Sequence, residues 1–507
     1  MRGAARLVPW LLVAAGVALR LHEYLRNRSL WWDEAALALN VIHRAYPDLA
    51  RPLDYNQTAP LGFLIASHAL AQSAGTTEPV LRLIPLVCAV ASLLLFAVLA
   101  HRMLDAPAAW LATGLFAVAE PLIHYATEFK PYAVDVLVAV GTAFVTVVVL
   151  ERRRRRQPLH LLAAASAAGG AIAVWFSHPS VFILAGGAGA AAYEVARERR
   201  WSVVGVIAVV CGIWLLSFAG AYVVSVREAA ANRYLHDFWS ARVPYEGAPT
   251  GGAFLPVPTS PAGLRRLARW SMQSAFAIFR DPGGIYFQGV AALACVVGVA
   301  TLLRSRTAEA LLVLLPVALT LLASALEAYP FCCRVLLFLT PLLYLAIAAG
   351  AAALMKAVAP GARVAGLTLI VLLFLVPDQP LRSLTNPIAR VELRPALEYL
   401  AFERSAGDLV YLAYGTEPVW RYYAPRYGLE GEDVLLGAGS VFEPSSSAKT
   451  GRIVQDLDRL AGARRAWILL TYIPPSERRA ILDRLVLMGS VRERYRDREV
   501  QVYELTT

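Results

Sequence analysis

Four short polar stretches interrupt an otherwise apolar chain, and each carries residue types able to do group-transfer chemistry. The first, Ser29-Leu-Trp-Trp-Asp-Glu-Ala, sets Asp33 and Glu34 behind two tryptophans, a residue that favours the boundary between hydrocarbon and water. The second, Asp54-Tyr-Asn-Gln-Thr-Ala-Pro-Leu-Gly, offers Tyr55 and Gln57 ahead of a proline fit to start a helix, where its missing N–H removes no hydrogen bond. The third runs from His124 to Asp135 and holds Glu128, Lys130 and Tyr132 where two apolar runs meet. The fourth, Glu327-Ala-Tyr-Pro-Phe-Cys-Cys-Arg, brings Tyr329 and Arg334 to the start of a late apolar run. Ions at such positions are costly when they face lipid, so each must face a cavity or a partner. His178, in Trp175-Phe-Ser-His-Pro, is a weaker candidate, because a single histidine before proline is more often structural.

Together these residues form an inventory for transfer from a phosphate-linked lipid. A carboxylate beside an acceptor hydroxyl can take its proton as the oxygen attacks an activated carbon. A lysine and an arginine can neutralise a departing phosphate, which leaves without being protonated. The competing readings are a solvated loop acid for Asp33 and a local surface pair for Glu128 and Lys130. Two adjacent carboxylates with no third ligand nearby make a poor Mg²⁺ site, so no metal and no cofactor is expected, although a divalent ion would be compatible with the chemistry.

The elements that must position these groups are membrane spans. The chain has 507 residues, 58% hydrophobic and only 17% charged, with 48 Lys+Arg against 37 Asp+Glu and a net charge of +11. Its mean hydropathy of +0.53 rules out disorder and an ordinary soluble domain. Apolar runs near 7–25, 80–100, 107–124, 132–150, 159–177, 179–195, 202–225, 285–303, 308–326, 335–355 and 363–377 predict an α-helical polytopic protein with about eleven transmembrane helices. The segment from Pro60 to Gly75, interrupted by Ser67 and Gln72, reads as a helix lying in the interface. The first run has no small-residue cleavage site and reads as a retained span rather than a signal peptide.

Orientation follows from the cations. Arg2 and Arg6, His101-Arg102, Arg152 to Arg156, Arg197 to Arg200, Arg304 to Arg306, and Lys356 with Arg363 all fall on one side if the spans alternate. That side is the cytoplasm, which puts the N-terminus inside an inner or plasma membrane and the C-terminus outside it. The run Arg152–Arg156 is what topology alone requires and does not point to nucleic acid. Arg334 opposes the same tendency and is expected to serve an anion.

Residues 1–380 therefore read as a membrane domain and 381–507 as a small extracytoplasmic α/β domain. In the latter, strands are expected at Asp408–Tyr414 and Ala466–Tyr472, and helices over 396–404, 454–461 and 476–487. It shows no catalytic constellation. The long segment from Ser225 to Gly284 reads equally as a lid over the site or as an interfacial helix with a spacer. The five cysteines, Cys88, Cys211, Cys295, Cys332 and Cys333, give no spaced disulfide framework.

Over about Met1 to Asp378 these motifs resemble the GT-C membrane glycosyltransferases that use polyprenyl-phosphate sugars, in particular the family-39-like branch with protein O-mannosyltransferases and the aminoarabinose transferase. The resemblance rests on Trp32-Asp33-Glu34, on Gln57 to Leu61, on Glu128 to Tyr132, and on Tyr329 to Arg334 in this order. It implies a glycosyltransferase that moves a sugar from a polyprenyl-phosphate donor to an extracytoplasmic lipid, glycan or protein, with inversion. Asp33 would be the general base or an acceptor-orienting carboxylate, with Glu34 beside it, and Glu128 the second-loop acid that positions acceptor or donor sugar. Lys130 and Arg334 would bind the donor phosphate, while Tyr55, Gln57, Tyr132, His178 and Tyr329 would line the substrate site. Relatives often carry glycine before the late arginine, where this chain has Cys332-Cys333. The alternatives are a polytopic transporter or lipid-linked sugar flippase, which predicts mid-membrane ions and internal repeats, and a membrane anchor, for which eleven spans are far too many.

Overall fold

The computed structural model describes residues 4–199, 203–240, 252–357 and 391–507. The membrane domain contains helices α1 (Ala4–Leu25), α2 (Trp32–His43), α3 (Leu61–Ala74), α4 (Glu78–Met103), α5 (Ala106–Val118), α6 (Glu120–His124), α7 (Tyr132–Arg154) and α8 (His160–Phe176). It continues with α9 (Ser180–Arg197), α10 (Val204–Ala221), α11 (Arg227–Ala230), α12 (Arg233–Trp239), α13 (Pro261–Arg280), α14 (Gln288–Ser305), α15 (Thr307–Ala325) and α16 (Thr340–Ala357). Each predicted apolar run coincides with a helix except 363–377, which lies outside the described residues, as does the expected domain boundary at 380. Among the described residues, seven helical segments are long and apolar enough to cross a membrane, and the pair α5 and α6, bent by 54°, makes up to eight. The 17-residue α8 is shorter, and α9 is built largely of glycine and alanine. The chain is an integral membrane protein.

The bend between α5 and α6 shows how the bundle tolerates broken backbone. The α5 helix stops at Val118 and Pro121 opens α6, so carbonyls of the last α5 turn lose their helical donors. In hydrocarbon those oxygens must be satisfied from within the protein. The fully buried Arg20 of α1 does so, donating to Phe116 O (3.1 Å) and Ala117 O (3.1 Å). Helices α14 and α16 meet through small residues: a Cβ on Gly298 would lie 1.8 Å from Ala346 O, and one on Gly350 1.8 Å from Ala294 O. Such close approach lets backbones pack where no hydrophobic effect drives helices together.

The arginine-rich end of the bundle is tied by ion pairs. Arg154 at the end of α7 reaches Glu194 of α9 (2.9 Å) and Glu309 of α15 (2.6 Å), and Arg153 pairs with Glu198 (3.1 Å). The four chemistry-bearing stretches gather at the opposite end of α7.

The C-terminal domain adds α17 (Arg394–Glu403), β1 (Leu409–Leu412), α18 (Glu417–Tyr423), β2 (Val434–Leu436), α19 (Ser447–Asp456), β3 (Arg465–Leu470), α20 (Pro475–Met488), β4 (Ser490–Asp497) and β5 (Val500–Thr506). The sheet order is β2-β1-β3-β5-β4, with β1 parallel to β2 and β3 and with β5 antiparallel to β3 and β4. The two expected strands are β1 and the central β3. The hairpin of β4 and β5 is absent from the sequence expectation because its charge hides it: Glu504 lies buried in β5, held by Arg465 (2.6 Å) and Arg494 (2.6 Å).

Candidate active site

Helix α2 begins where Trp31, in extended conformation, donates its N–H to Glu34 Oε2 (3.4 Å). Asp33 therefore sits in the first helical turn, where the helix dipole favours an anion. Gln57 Nε2 donates to Asp33 Oδ1 (2.9 Å), Lys130 Nζ lies 3.1 Å from the same oxygen, and Arg334 Nη2 lies 3.4 Å from Oδ2. Lys130 also donates to Gln57 Oε1 (2.5 Å). Residues from four separate stretches thus converge on one carboxylate. Burial opposes ionisation of Asp33, yet Lys130, Arg334 and Gln57 together outweigh it and hold the carboxyl below its usual value. Burial likewise lowers Lys130, against the pull of Asp33. The Arg334 guanidinium lies between the rings of Trp31 (5.7 Å) and Tyr132 (5.8 Å), whose faces favour a cation.

Two of the expected residues stand apart from this cluster. Glu34, expected beside Asp33 at the chemistry, is drawn into a separate buried pair: Arg82 donates through Nε to Oε1 (2.8 Å) and through Nη2 to Oε2 (2.6 Å). The Phe129 N–H also donates to Glu34 Oε1 (2.6 Å), so this acid bolts the first loop to α4 and to the second loop. Glu128 bonds His124 Nε2 (2.9 Å), whose Nδ1 is 3.2 Å from Arg28. The charge of Glu128 is nonetheless felt at both Asp33 and Lys130.

The remaining expected residues divide. Tyr132 flanks Arg334. Tyr55 donates to Glu417 Oε1 of α18 (3.3 Å), linking the site to the C-terminal domain, and burial raises its phenol to about 12. Tyr329 donates to Val335 O (2.8 Å) and packs on Phe182 and Phe338, shaping the turn that carries Arg334. The half-buried His178 has no hydrogen-bond partner among the described residues, and burial pushes its imidazole down to about 4.

Several contributors escaped the sequence reading. Arg82 is one that the sequence signals, since it stands at the same end of a span as Arg334 and opposes the positive-inside tendency in the same way. An aromatic cover over Asp33 is another. Trp32 contacts Tyr55 (6.2 Å) and Phe442 (5.5 Å), and Phe442 contacts Tyr234 of α12 (4.7 Å). Burial raises the Tyr234 phenol, and the charge of Asp33 adds to this. Asn232 donates to Asn56 Oδ1 (2.8 Å), tying the start of α12 to the second stretch. Of the two readings of 225–284, α12 fits the cover. Residues 241–251 lie outside the described residues.

The C-terminal domain holds the first loop directly. The Leu30 N–H donates to Tyr423 OH (2.7 Å), the Trp32 N–H to Tyr472 OH (3.1 Å), and Ser29 donates twice to Glu392 (3.0 and 2.7 Å). Tyr423 in turn donates to Glu78 Oε1 (2.9 Å), and Arg426 lies 2.9 Å from Glu78 Oε2. Among the described residues, no group of three or more His, Cys, Asp or Glu side chains is placed to hold a metal ion.

This architecture, a polytopic helical bundle with its polar cluster at one end and a small sheet domain against it, is shared with solved structures. The crystal structure of ArnT from Cupriavidus metallidurans bound to undecaprenyl phosphate superposes over 98% of this chain and 97% of its own, at 14% identity and a TM-score of 0.53. The apo form of ArnT gives 15% identity and a TM-score of 0.52 over the same shares. The apo oligosaccharyltransferase of Archaeoglobus fulgidus matches 91% of this chain and 69% of its own, at 11% identity and a TM-score of 0.51. No protein-family model matches the chain, and no curated protein matches it in sequence.

Proposed function

We propose that the protein is a glycosyltransferase that moves a sugar from a polyprenyl-phosphate donor to a hydroxyl-bearing acceptor outside the membrane. The observation that carries this reading is Asp33 bracketed by Lys130 and Arg334. Two cations to one carboxylate leave the site net positive, which suits an anionic phosphate. The shared fold adds support, since ArnT holds undecaprenyl phosphate in this architecture.

In the reaction, the acceptor oxygen attacks the anomeric carbon from the face opposite the phosphate. The carbon–oxygen bond to phosphate breaks, its electron pair leaves with polyprenyl phosphate, and Asp33 takes the hydroxyl proton. Direct displacement inverts the anomeric centre. Lys130 and Arg334 stabilise the departing charge, a role that needs no metal or cofactor. Glu128, within electrostatic reach of the pair, orients a sugar, while Tyr55, Gln57 and Tyr132 line its path. Glu34 and Tyr329 act through position rather than contact. The polyprenyl chain lies among the spans. The paired arginines at the opposite end of α7 support a cytoplasmic N-terminus, with the site and C-terminal domain outside an inner or plasma membrane. The acceptor is a lipid, glycan or protein of the cell envelope.

The test uses purified protein in detergent and a panel of radiolabelled polyprenyl-phosphate sugars. Wild type is expected to remove label from at least one lipid. Asp33→Asn is expected to bind that lipid equally well and leave its label in place. Turnover by Asp33→Asn at the wild-type rate, or no donor consumed by folded wild type, overturns the proposal.

A further inference from the structure

Two groups that the proposed reaction does not use stand immediately before Arg334. Cys332 and Cys333 are 5% and 2% exposed, and their Sγ atoms lie 2.7 Å apart, in direct contact. Trp239 and Ala253 pack against them. Cys333 also has φ +56°, a left-handed conformation that a residue with a Cβ keeps only when its surroundings impose it. It opens the 3₁₀ turn Cys333–Leu339 that presents Arg334 to Asp33. Among the other cysteines, Cys88 lies in α4, Cys211 in α10 and Cys295 in α14, each on its own helix.

We infer that Cys332 and Cys333 are a thiol–disulfide site: they close to a vicinal disulfide whose redox state sets the position of Arg334. One thiolate attacks a disulfide-bearing oxidant to give a mixed disulfide, and the neighbouring thiolate displaces it. The two thiols lose two protons and two electrons, and the oxidant leaves as a dithiol. The inference rests on the extracytoplasmic placement proposed above, where disulfides form and persist. Closure takes place before Trp239 and Ala253 cover the pair during folding. Adjacent Cα atoms are about 3.8 Å apart, less than the roughly 4.4 to 6.8 Å that disulfides usually span. The ring is therefore taut and more readily reduced than an unstrained disulfide once a reductant reaches it. With both thiols free the left-handed φ and the turn that aims Arg334 are already in place, and closing the ring adds a covalent restraint that holds them there. Opening it releases that restraint, so the reduced protein binds polyprenyl phosphate less tightly.

The experiment counts thiols first. Protein purified without reductant, unfolded and treated with iodoacetamide is expected to take up label at three of its five cysteines, and at all five after reduction. The peptide containing residues 331–334 should be lighter by two hydrogens before reduction. Alkylation of all five without reduction overturns the inference. Next, undecaprenyl phosphate affinity is compared among oxidised protein, mildly reduced protein and Cys333→Gly, which accepts the left-handed φ and cannot pair. Several-fold weaker binding by the last two is expected. Equal affinity in all three overturns the coupling to Arg334. Oxidised wild type that binds no polyprenyl phosphate at all would instead count against the proposed function and leave the thiol count standing.

Discussion

Asp33 is a carboxylate that two cations hold below its ordinary value, and such a group is a weak base until those cations are drawn away. A donor phosphate bound by Lys130 and Arg334 would do this. Burial, which favours the neutral acid, would then push the carboxyl up and make it a better proton acceptor. In the proposed reaction, donor binding would thus prepare the base for the acceptor. The same environment sets a pH limit. Burial lowers Lys130, so its ammonium is lost at a pH below the usual lysine value of about 10.4. Donor affinity should be full below the folded-state value of Lys130 and fall as pH rises through it. Lys130→Arg should move that fall to higher pH, because guanidinium stays charged, and Lys130→Ala should weaken donor binding more than acceptor binding. An alkaline fall unchanged in Lys130→Arg would remove the lysine from phosphate binding. Glu34→Ala tests a different role: it strands the buried Arg82 and should cost about 3–5 kcal/mol of stability. A denaturation midpoint equal to wild type would contradict the bolt described here. At this scale Asp33, Gln57, Lys130 and Arg334 were legible, because ions at the ends of apolar runs have few places to go. The part of Glu34 was not: successive helical residues diverge by about 100°, and its partner arrives from 48 residues away.

Helices α14 and α16 approach so closely that their glycines are a structural requirement. Gly298→Val would drive a side chain into Ala346 O and force the two helices apart. Overpacking of this kind costs about 1–3 kcal/mol, so the thermal midpoint in detergent should fall. An undiminished midpoint would show that the helices can separate freely. The elements were read from the sequence where hydropathy speaks alone, as in α4, α7, α14 and α15. The reading failed where long-range partners decide. The bend after Val118 persists because Arg20, some 96 residues earlier, supplies donors to the freed carbonyls. Strand β4 is dominated by charge, which masks the hairpin, and the buried Glu504 of β5 is tolerable only between two arginines. The left-handed φ of Cys333 is one that glycine adopts without strain, and nothing local in the sequence discloses it.

The two domains form a single working unit. Among its described residues the sheet domain brings no hydrogen bond or ion pair to Asp33, yet it supplies Tyr423, Tyr472 and Glu392 to the stretch that leads into the helix carrying Asp33, and Phe442 to its cover. From one sequence its part could be guessed only by position, because pairings across hundreds of residues leave no local trace. Tyr423→Phe removes the acceptor for the Leu30 N–H and leaves a buried donor unsatisfied, at a cost of about 1–3 kcal/mol. Amide hydrogen exchange over residues 28–35 should accelerate in this variant while exchange in α14 and α16 stays at the wild-type rate. Unchanged protection at Leu30 would mean that the membrane domain orders the loop unaided.

The bond between the Trp32 amide and Tyr472 joins residues 440 positions apart, and it bears on how the protein is made. A ribosome that has delivered Asp33, Lys130 and Arg334 to the membrane has produced every reacting side chain, but not the hydroxyls and carboxylate that steady the first of them. A copy that ends short of the sheet domain lacks those bonds, and if they order the start of the helix carrying Asp33, a chain truncated after residue 357 is expected to consume less donor in the transfer assay than the full chain.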